Sequence, residues 1–384
     1  MFQRLLALDT GASSFLFGPR GTGKSYWLHH IHADALCIDL LESDTYTQLL
    51  ADPSRLRNLV PPHVNLVVID EVQRVPDLLH EVHRLIERQG TRFILTGSSA
   101  RKLRRPSSDL LAGRALLNTM HPLVPEELGE AFDMAKALRV GLLPALYDPK
   151  RGGLVAEHYL SSYVQAYLRE EVLQEGLTRN LAAFSRFLEA ASFSQGNVLN
   201  MAEVARECAV GSKVVASYFD ILEDLLIGVR LPAFTRRARR RVVQHPKFYF
   251  FDCGVYRTIR PRGPLDTPEE TDGAALETLV FQVIRATVDA LRLPFSLYFW
   301  RTVSGAEVDF VLYGEGGLIA IEVKRKRTLG GNDLAGLKSF KDEYPMARCV
   351  VLANTARREA IGPIEVIPIG DALAHLREIL VPVQ

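Results

Sequence analysis

Residues 18–25 read GPRGTGKS, and no other segment limits the possible fold of this chain as strongly. The segment matches the whole phosphate-loop pattern G-x-x-x-x-G-K-[ST], with the apolar run SFLF before it and the helix-compatible run YWLHH after it. A glycine-rich loop between a strand and a helix directs backbone N–H groups towards phosphate oxygens. The sequence therefore predicts a phosphate-binding α/β domain rather than a glycine-rich turn without a ligand.

The residue types in this loop fit the parts of an ATP molecule and its magnesium ion. Lys24 is expected to reach the β and γ phosphates and to act in catalysis, and Ser25 is expected to hold Mg²⁺. Glycines stand where a Cβ atom would block the approach of phosphate. The predicted nucleotide-binding residues of the loop are Gly18, Pro19, Arg20, Gly21, Thr22, Gly23, Lys24, Ser25 and Tyr26.

Short apolar runs alternate with longer, charge-striped segments over the first part of the chain. This alternation predicts βαβ units with a parallel sheet that helices cover on both faces. The predicted strands are 14–17, 35–40, 65–69 and 92–96, and the clearest predicted helix is 77–89.

Polar residues follow two of these predicted strands. NLVVIDE, at 65–71, ends in Asp70 and Glu71, at the strand end where open α/β sheets bind ligands. Asp70 is expected to hold the water shell of Mg²⁺, and Glu71 to polarise the attacking water. RFILTG is followed by Ser98 and Ser99, which fit either a sensor of the γ phosphate or a serine-rich turn that caps the next helix.

An arginine finger stabilises the charge that develops on the transferred phosphate, and a neighbouring subunit often supplies it. Arg101, Arg104, Arg105 and Arg114 are candidates, and each is equally compatible with an ordinary surface position. A homo-oligomer is the expected assembly on this account.

The middle of the chain is helical from about residue 125 to 196, and a helix-turn-helix pattern follows at 201–226. The arginine run RRARRR comes next, before the apolar run 248–251, which predicts a winged helix with a basic wing. Arginine and lysine side chains on phosphates release counterions, so this run fits duplex or branched DNA. A solvated charge run and an arm docked on acidic faces of the same chain are the alternatives. The predicted DNA-binding residues are Lys213, Arg236, Arg237, Arg239, Arg240 and Arg241, and Lys247 could extend the patch.

Two strand-like runs near the C-terminus, GAEVDFVL and IAIEVKRK, predict a hairpin around the turn YGEGG. Because side chains alternate between the faces of a strand, Glu322 and Lys324 share one face, and so do Glu307 and Asp309. The adjacent strands are expected to bring Asp309 near Glu322 and Lys324. Carboxylates so close together suit a divalent cation, to which Glu277 could add a third ligand. The predicted metal ligands are Glu277, Asp309 and Glu322, and Lys324 is the predicted catalytic lysine. Charges that alternate on a solvent-facing hairpin would give the same pattern.

This arrangement resembles the core of the restriction-endonuclease-like nucleases, in which an Asp ends one strand and Glu-x-Lys lies on the next. Val308 stands where a proline often precedes that Asp. The resemblance implies a site that uses Mg²⁺, or alternatively Mn²⁺.

Composition limits the remaining choices without identifying a function. The 384 residues are 47% hydrophobic and 24% charged, as in ordinary globular proteins, and the net charge is +1. Any affinity for nucleic acid must therefore come from local patches. Four cysteines stand far apart, and no apolar run approaches the roughly 18 residues of a membrane-spanning helix. These features predict a cytoplasmic protein without disulfides and without a membrane partner.

The ordered series GPRGTGKS, VVIDEVQRVPDLL, FILTGSS, LAGR, HPKFYFFDCGV, GAALETLVFQ, GAEVDF and IAIEVK resembles a family of bacterial and archaeal AAA-type ATPases. These proteins have a C-terminal winged-helix and restriction-endonuclease-like region of unknown function. The resemblance implies that the sensor strand lies between the phosphate-loop strand and the Asp70 strand. It also implies that Lys24, Ser25, Asp70 and Glu71 carry ATP binding and hydrolysis, and it makes Arg114 the preferred finger.

The predicted domains are an AAA-like ATPase domain at 1–125, a helical region at 126–196, a winged-helix region at 197–259 and an α/β restriction-endonuclease-like domain at 260–384. The leading functional hypothesis is an ATP-driven enzyme that processes DNA with a metal-dependent nuclease site. The alternatives are a non-cleaving ATPase switch or DNA motor, and a regulator whose winged helix binds an operator.

Overall fold

The computed structural model of this chain describes residues 2–99, 111, 113–151, 154–167, 172, 180–238, 240–263 and 266–381. The chain divides into two compact units. One unit holds residues 3–122 with 224–226, and the other holds the remaining residues.

The first unit is built on a five-stranded sheet in which every neighbouring pair of strands is parallel. The strands are β1 Ser13–Phe17, β2 Leu36–Asp39, β3 Leu66–Asp70, β4 Arg92–Gly97 and β5 Ala115–Thr119, in the order β2-β3-β4-β1-β5. The predicted α/β architecture is confirmed, and so is the predicted position of β4 between β1 and β3. The helices are α1 Lys24–Ile31, α2 Ser43–Ala51, α3 Leu56–Leu59 and α4 Leu78–Gln89.

The central strands of this sheet are apolar because both of their faces are covered. All residues of β1 are buried, and Val67, Ile69, Phe93 and Leu95 belong to one hydrophobic core. Parallel strands end at one edge of the sheet, so the loops after β1, β3 and β4 meet there.

The second unit begins with helices and continues with a small antiparallel hairpin. Its first helices are α5 Pro125–Leu128, α6 Met134–Val140, α7 Ala156–Ser162, α8 Leu181–Phe193, α9 Met201–Cys208 and α10 Ser212–Asp224. The strands β6 Gly228–Leu231 and β7 Lys247–Phe250 then pair with each other. The arginine run predicted as a wing lies in the connection between these two strands.

A six-stranded mixed sheet, in the order β12-β13-β11-β10-β9-β8, forms the rest of this unit. Its strands are β8 Ser296–Arg301, β9 Glu307–Gly314, β10 Gly317–Lys324, β11 Arg348–Ala353, β12 Glu359–Ile361 and β13 Ile364–Pro368. The predicted hairpin of β9 and β10 is confirmed, with Ile321 opposite Phe310. The helices are α11 Cys253–Ile259, α12 Pro268–Ala290, α13 Ala335–Glu343, α14 Ile369–Ala374 and α15 Leu376–Leu380.

One boundary differs from the prediction. The segment 260–272 is predicted as a linker because it is rich in proline, glycine and acids, but α12 begins within it at Pro268. Proline is tolerated in the first turn of a helix, where its missing N–H would have no partner within the helix.

Helices in the described part of the chain are all too short or too polar to cross a membrane. The four cysteines are free thiols, and three of them are buried.

Candidate functional site

The phosphate loop lies between β1 and α1, as the sequence predicted. Gly21 and Gly23 have φ angles of 82° and 89°, in the left-handed region that glycine enters without strain. A Cβ atom on Gly18 would lie 2.3 Å from the carbonyl oxygen of Met120, so this position also needs glycine.

The Lys24 ammonium is buried inside this loop. Its Nζ donates hydrogen bonds to the carbonyl oxygens of Gly18 and Pro19, at 2.7 and 3.3 Å. The Thr22 hydroxyl also donates to Pro19, at 2.8 Å. Arg4, which the sequence analysis did not single out, braces the loop by donating to the Thr22 carbonyl oxygen at 3.0 Å. The loop is therefore held closed around the lysine that the sequence assigned to the phosphates.

Asp70 and Glu71 lie at the same edge of the sheet as the phosphate loop, because β3 and β1 are parallel members of one sheet. Asp70 is buried, and its Oδ1 accepts a hydrogen bond from the hydroxyl of Thr96. Ser25 is the second residue of α1. The Ser25 hydroxyl and the Asp70 carboxylate are oxygen donors of the kind that Mg²⁺ prefers, so they fit that ion.

Glu71 is held by side chains that the sequence analysis did not assign to it. Gln73 Nε2 donates to Glu71 Oε2 and, at 3.1 Å, to the Ser98 hydroxyl, which itself lies 3.3 Å from Glu71 Oε2. Ser98 and Ser99 are buried at the end of β4, as expected for a polar group at this edge. Gln73 is the missed member, and its position two residues after Glu71 is the only signal the sequence offers.

Arg114 lies at the opposite edge of the sheet from the phosphate loop. It precedes β5, whose first residue pairs with Ser13 at the start of β1, whereas the loop follows the end of β1. Its Nε contacts Glu87 Oε1 of α4 at 2.5 Å. Arg101, Arg104 and Arg105 lie outside the described residues.

Four carboxylates gather at one end of the β9–β10 hairpin, and together they are the carboxylate cluster: Glu277, Glu307, Asp309 and Glu322. Asp309 lies opposite Glu322, as predicted, and its Oδ2 accepts the backbone N–H of Val323 at 2.8 Å. Burial raises the pKa of Asp309 well above its usual value, and the negative charges of Glu322 and Glu277 raise it further. Burial also raises the pKa of Glu322 to about 7, although Lys324 opposes the shift.

The cation at the centre of this cluster is Lys247, from β7. Its Nζ lies 2.5 Å from Glu307 Oε1, 3.2 Å from Glu277 Oε1 and 3.8 Å from Asp309 Oδ1, and only 2% of its side chain is exposed. Burial alone would lower the pKa of Lys247, but the surrounding carboxylates hold it well above the usual value. The expectation that Lys247 extends a DNA-binding surface is therefore wrong, because the ammonium is enclosed by carboxylates.

Lys324 is the second cation of the carboxylate cluster, and it pairs with Glu322. Its Nζ lies 2.6 Å from Glu322 Oε1, while Glu322 Oε2 is buried without a hydrogen-bond partner. Among the described residues, no group of three or more His, Cys, Asp or Glu side chains is arranged to hold a metal ion. The predicted ligands Glu277, Asp309 and Glu322 thus lie close together, but as partners of lysines, which does not fit a divalent ion.

The arginine run lies partly against its own chain. The Arg236 guanidinium stacks 4.9 Å from the centre of the Tyr313 ring, and Arg240 donates to Ser339 and lies 4.0 Å from Glu343. These contacts match the alternative in which the run docks on the same chain. Arg237, Arg241 and Lys213 are exposed, and Arg239 lies outside the described residues.

Family comparison agrees with the geometry of the first unit. Residues 11–129 match a family model described as an AAA domain. The N-terminal domain is of the AAA type. An AAA domain implies nucleotide binding and the use of Mg²⁺. Residues 131–266 and 272–372 match two further models, each described as a domain of unknown function (DUF8612 and DUF4143).

Relatives and solved structures similar to this chain add little about activity. Uncharacterized proteins of Mycobacterium tuberculosis and Mycobacterium bovis are each 28% identical to the chain over 328 residues, which cover 84% of this chain and 72% of the relative. The replication initiator DnaA, bound to AMPPCP and single-stranded DNA, is 16% identical, with a TM-score of 0.29, and the match covers 55% of this chain and 82% of that one. The ORC1 protein of Aeropyrum pernix in complex with DNA is 14% identical, with a TM-score of 0.24, covering 70% and 86%. TM-scores this low do not establish a common fold.

Proposed function

We propose that this protein hydrolyses ATP and uses the hydrolysis cycle to act on DNA without cleaving it. One observation carries the ATPase half of the proposal. The phosphate loop, Asp70, Glu71 and Ser98 follow three strands of one parallel sheet and reach the same edge. This edge is where nucleotide phosphates bind in open α/β sheets.

Each side chain at this edge has a separate task in the proposed reaction. Lys24 exchanges the carbonyl oxygens of Gly18 and Pro19 for phosphate oxygens when ATP binds. Ser25 and Asp70 would hold Mg²⁺, which neutralises developing charge on the phosphates. Glu71 orients the attacking water and accepts its proton, and Gln73 fixes the Glu71 carboxylate in place.

ATP hydrolysis by the full chain tests this assignment. We expect the wild type to release phosphate from ATP. Release by Lys24→Ala should fall to background, because the phosphate loop loses its only interior ammonium. Lys338→Ala removes an exposed lysine of α13 and is the matched control. Equal hydrolysis by Lys24→Ala and the wild type would exclude the proposed ATPase site.

For DNA, the proposed contacts are Arg237 and Arg241 in the β6–β7 connection and Lys213 on α10, all of which are exposed. Each arginine placed on a duplex phosphate contributes about 0.9 to the slope of log affinity against log salt concentration. We expect Arg237→Ala/Arg241→Ala to lower that slope by about 2, and the exposed control Arg377→Ala to leave it unchanged. An unchanged slope in the double variant would place the DNA contact elsewhere.

Metal-dependent cleavage of DNA is the second candidate function. The positions of Asp309, Glu322 and Lys324, which lie close together, favour cleavage. The position of Lys247 among the same carboxylates opposes it. Linear, nicked, single-stranded and branched DNA are incubated with ATP and either Mg²⁺ or Mn²⁺. Cleavage that disappears in Asp309→Ala and Lys324→Ala would establish the nuclease, and the absence of cleavage by the wild type would support the switch.

We also propose that the chain has four domains, with a winged helix at 197–259 and a restriction-endonuclease-like domain at 260–384. We further propose that it forms a homo-oligomer in the cytoplasm. Within 197–259, the two helices α9 and α10 followed by the β6–β7 hairpin support the winged-helix assignment.

A further inference from the structure

We propose that Lys247 is the resident cation of the carboxylate cluster and that it closes this site to divalent metal ions. The inference deepens the non-cleaving form of the proposed function, since a site without a metal lacks the ion that would activate water. It rests on the position of one buried side chain among carboxylates of two other elements, α12 and β9.

The ammonium takes the place that a metal ion would need. Its Nζ lies within 3.8 Å of carboxylate oxygens of Glu277, Glu307 and Asp309. A divalent ion such as Mg²⁺ requires about six oxygen ligands close around it, with several of them water. An ammonium that is almost fully enclosed leaves no space for that shell.

The backbone of Lys247 is also fixed. Lys247 pairs with Leu231 in the hairpin, and the N–H of the next residue, Phe248, donates to the Asn197 carbonyl oxygen at 3.2 Å. Tyr249 lies on the same face of β7 and donates its hydroxyl to Glu277 Oε1 at 2.5 Å. The strand is therefore held in place beside the cluster, and the Lys247 ammonium could leave only by giving up its three carboxylate partners.

Other carboxylate oxygens of the cluster already have partners. Asp309 Oδ2 is used by the Val323 N–H, and Glu322 Oε1 is used by Lys324. Glu322 Oε2 is the one buried carboxylate oxygen of the cluster without a hydrogen-bond partner in the described part of the chain. A metal ion that entered the cluster would have to compete with these bonds and displace a buried ammonium, which would lose all its partners.

Without a metal ion, the carboxylate cluster has a structural role. The cluster ties the β6–β7 hairpin to α12 and to the six-stranded sheet through ion pairs whose strength does not depend on the metal concentration. These ion pairs can transmit movement of the hairpin to the sheet. They supply no Lewis acid for phosphodiester hydrolysis.

Manganese binding by the nucleotide-free full chain tests the proposal, with unbound Mn²⁺ measured by electron paramagnetic resonance. We expect the wild type and Asp309→Asn to bind equal amounts of Mn²⁺. Lys247→Met should bind one additional ion, because removal of the ammonium frees the carboxylates. That additional ion should be lost again in Lys247→Met/Asp309→Asn, and Lys338→Met should match the wild type.

Two results would overturn the proposal: a Mn²⁺ ion bound by the wild type and lost in Asp309→Asn, or a folded Lys247→Met that gains no ion. The first comparison needs no change at Lys247, so it decides the question even if Lys247→Met does not fold. ATP hydrolysis does not enter either measurement, so failure of the ATPase proposal and failure of this one are distinguishable.

Discussion

Glu71 adopts a φ of 59°, in the left-handed region that residues with a Cβ atom seldom enter. Such a conformation is unfavourable by about 1–3 kcal/mol and persists only where the surroundings impose it. Here the Glu71 N–H donates to the Thr96 hydroxyl at 3.3 Å, and Gln73 holds the carboxylate. The backbone conformation and Gln73 together fix the direction of the Glu71 carboxylate, as the proposed role in orienting water requires.

Gln73→Ala is expected to lower kcat for ATP about tenfold or more while the KM for ATP stays within about twofold, because misplacing a catalytic group slows chemistry without weakening binding. In the proposed mechanism Gln73 is a positioning residue that acts through Glu71. Steady-state hydrolysis over a range of ATP concentrations measures both constants. Gln89→Ala, at the exposed end of α4, is the control. A KM that rises as much as kcat falls would show that Gln73 contributes to nucleotide binding instead.

Lys247 is a buried charge that contributes to the stability of the folded protein. Lys247→Met is expected to lower the free energy of unfolding by about 3–5 kcal/mol, because the carboxylates around it lose their counter-charge. Urea unfolding at pH 7 measures this change, with Lys338→Met as the control. Adding Glu307→Gln to Lys247→Met should restore part of the loss, and strictly additive effects of the two substitutions would contradict a direct ion pair.

At the scale of elements, ion pairs join helices that the hydrophobic core brings together. Glu81 of α4 is buried and accepts from Arg57 of α3, whose Nε and Nη2 lie 2.5 and 3.0 Å from its carboxylate oxygens. Arg84, one turn along α4, approaches the same carboxylate at 3.1 Å. This fork holds the short helix α3 against α4.

The Glu81 pair predicts a defined pH dependence. The hydrogen bond from Arg57 lowers the pKa of Glu81 below its usual value of 4.5, and burial only partly opposes the shift. The folded state therefore favours the charged form, so the contribution to stability is full above pH 4.5 and is lost as the pH falls through the lowered pKa. Because Arg57 is exposed, solvent weakens the ion pair, and we expect a small contribution to the free energy of unfolding.

Thermal unfolding of the wild type and Glu81→Gln measures this contribution. Glu81→Gln should unfold at lower temperature than the wild type at pH 7, and the difference should shrink steadily below pH 4.5. Glu42→Gln, an exposed change near the start of α2, should show no such trend. A difference that grows towards acid pH would contradict the assigned sign.

At the scale of the whole molecule, the place of Arg114 bears on assembly. The strand β1 separates it from the phosphate loop, and five strand residues span about 16 Å. Arg114 can therefore act as a finger only on the nucleotide of a second copy. The predicted finger role therefore depends on the predicted homo-oligomer, and it would require the pair with Glu87 to open.

Mixing two inactive variants tests this arrangement. Arg114→Ala and Glu71→Gln are each expected to lose nearly all hydrolysis, by about 10²-fold or more. If the finger acts between copies, mixtures should regain activity, because an intact Glu71 on one copy then faces an intact Arg114 on another. The hydrolysis rate of mixtures, compared with each variant alone, provides the measurement. Full activity of Arg114→Ala alone would remove it from the reaction.

Local patterns in the sequence predicted the phosphate loop, the parallel sheet around it and the β9–β10 hairpin with Asp309 opposite Glu322. These features depend on residues close together in the chain or on adjacent strands. Lys247 was misassigned to a basic surface because its partner Glu277 lies 30 positions further on, and a single strand pattern does not say what its buried face will meet. The alternation of Lys247 and Tyr249 did place both on one face, which was the available signal.

The carboxylate cluster also has a consequence for how the parts of this chain can be inherited. Lys247 belongs to the segment 131–266, and Glu277, Glu307 and Asp309 belong to the segment 272–372. Recombination that exchanged one segment for an unrelated one would leave either Lys247 or its carboxylate partners buried without a counter-charge. Descendants of such an event would fold poorly, so these two segments are expected to be passed on as a pair.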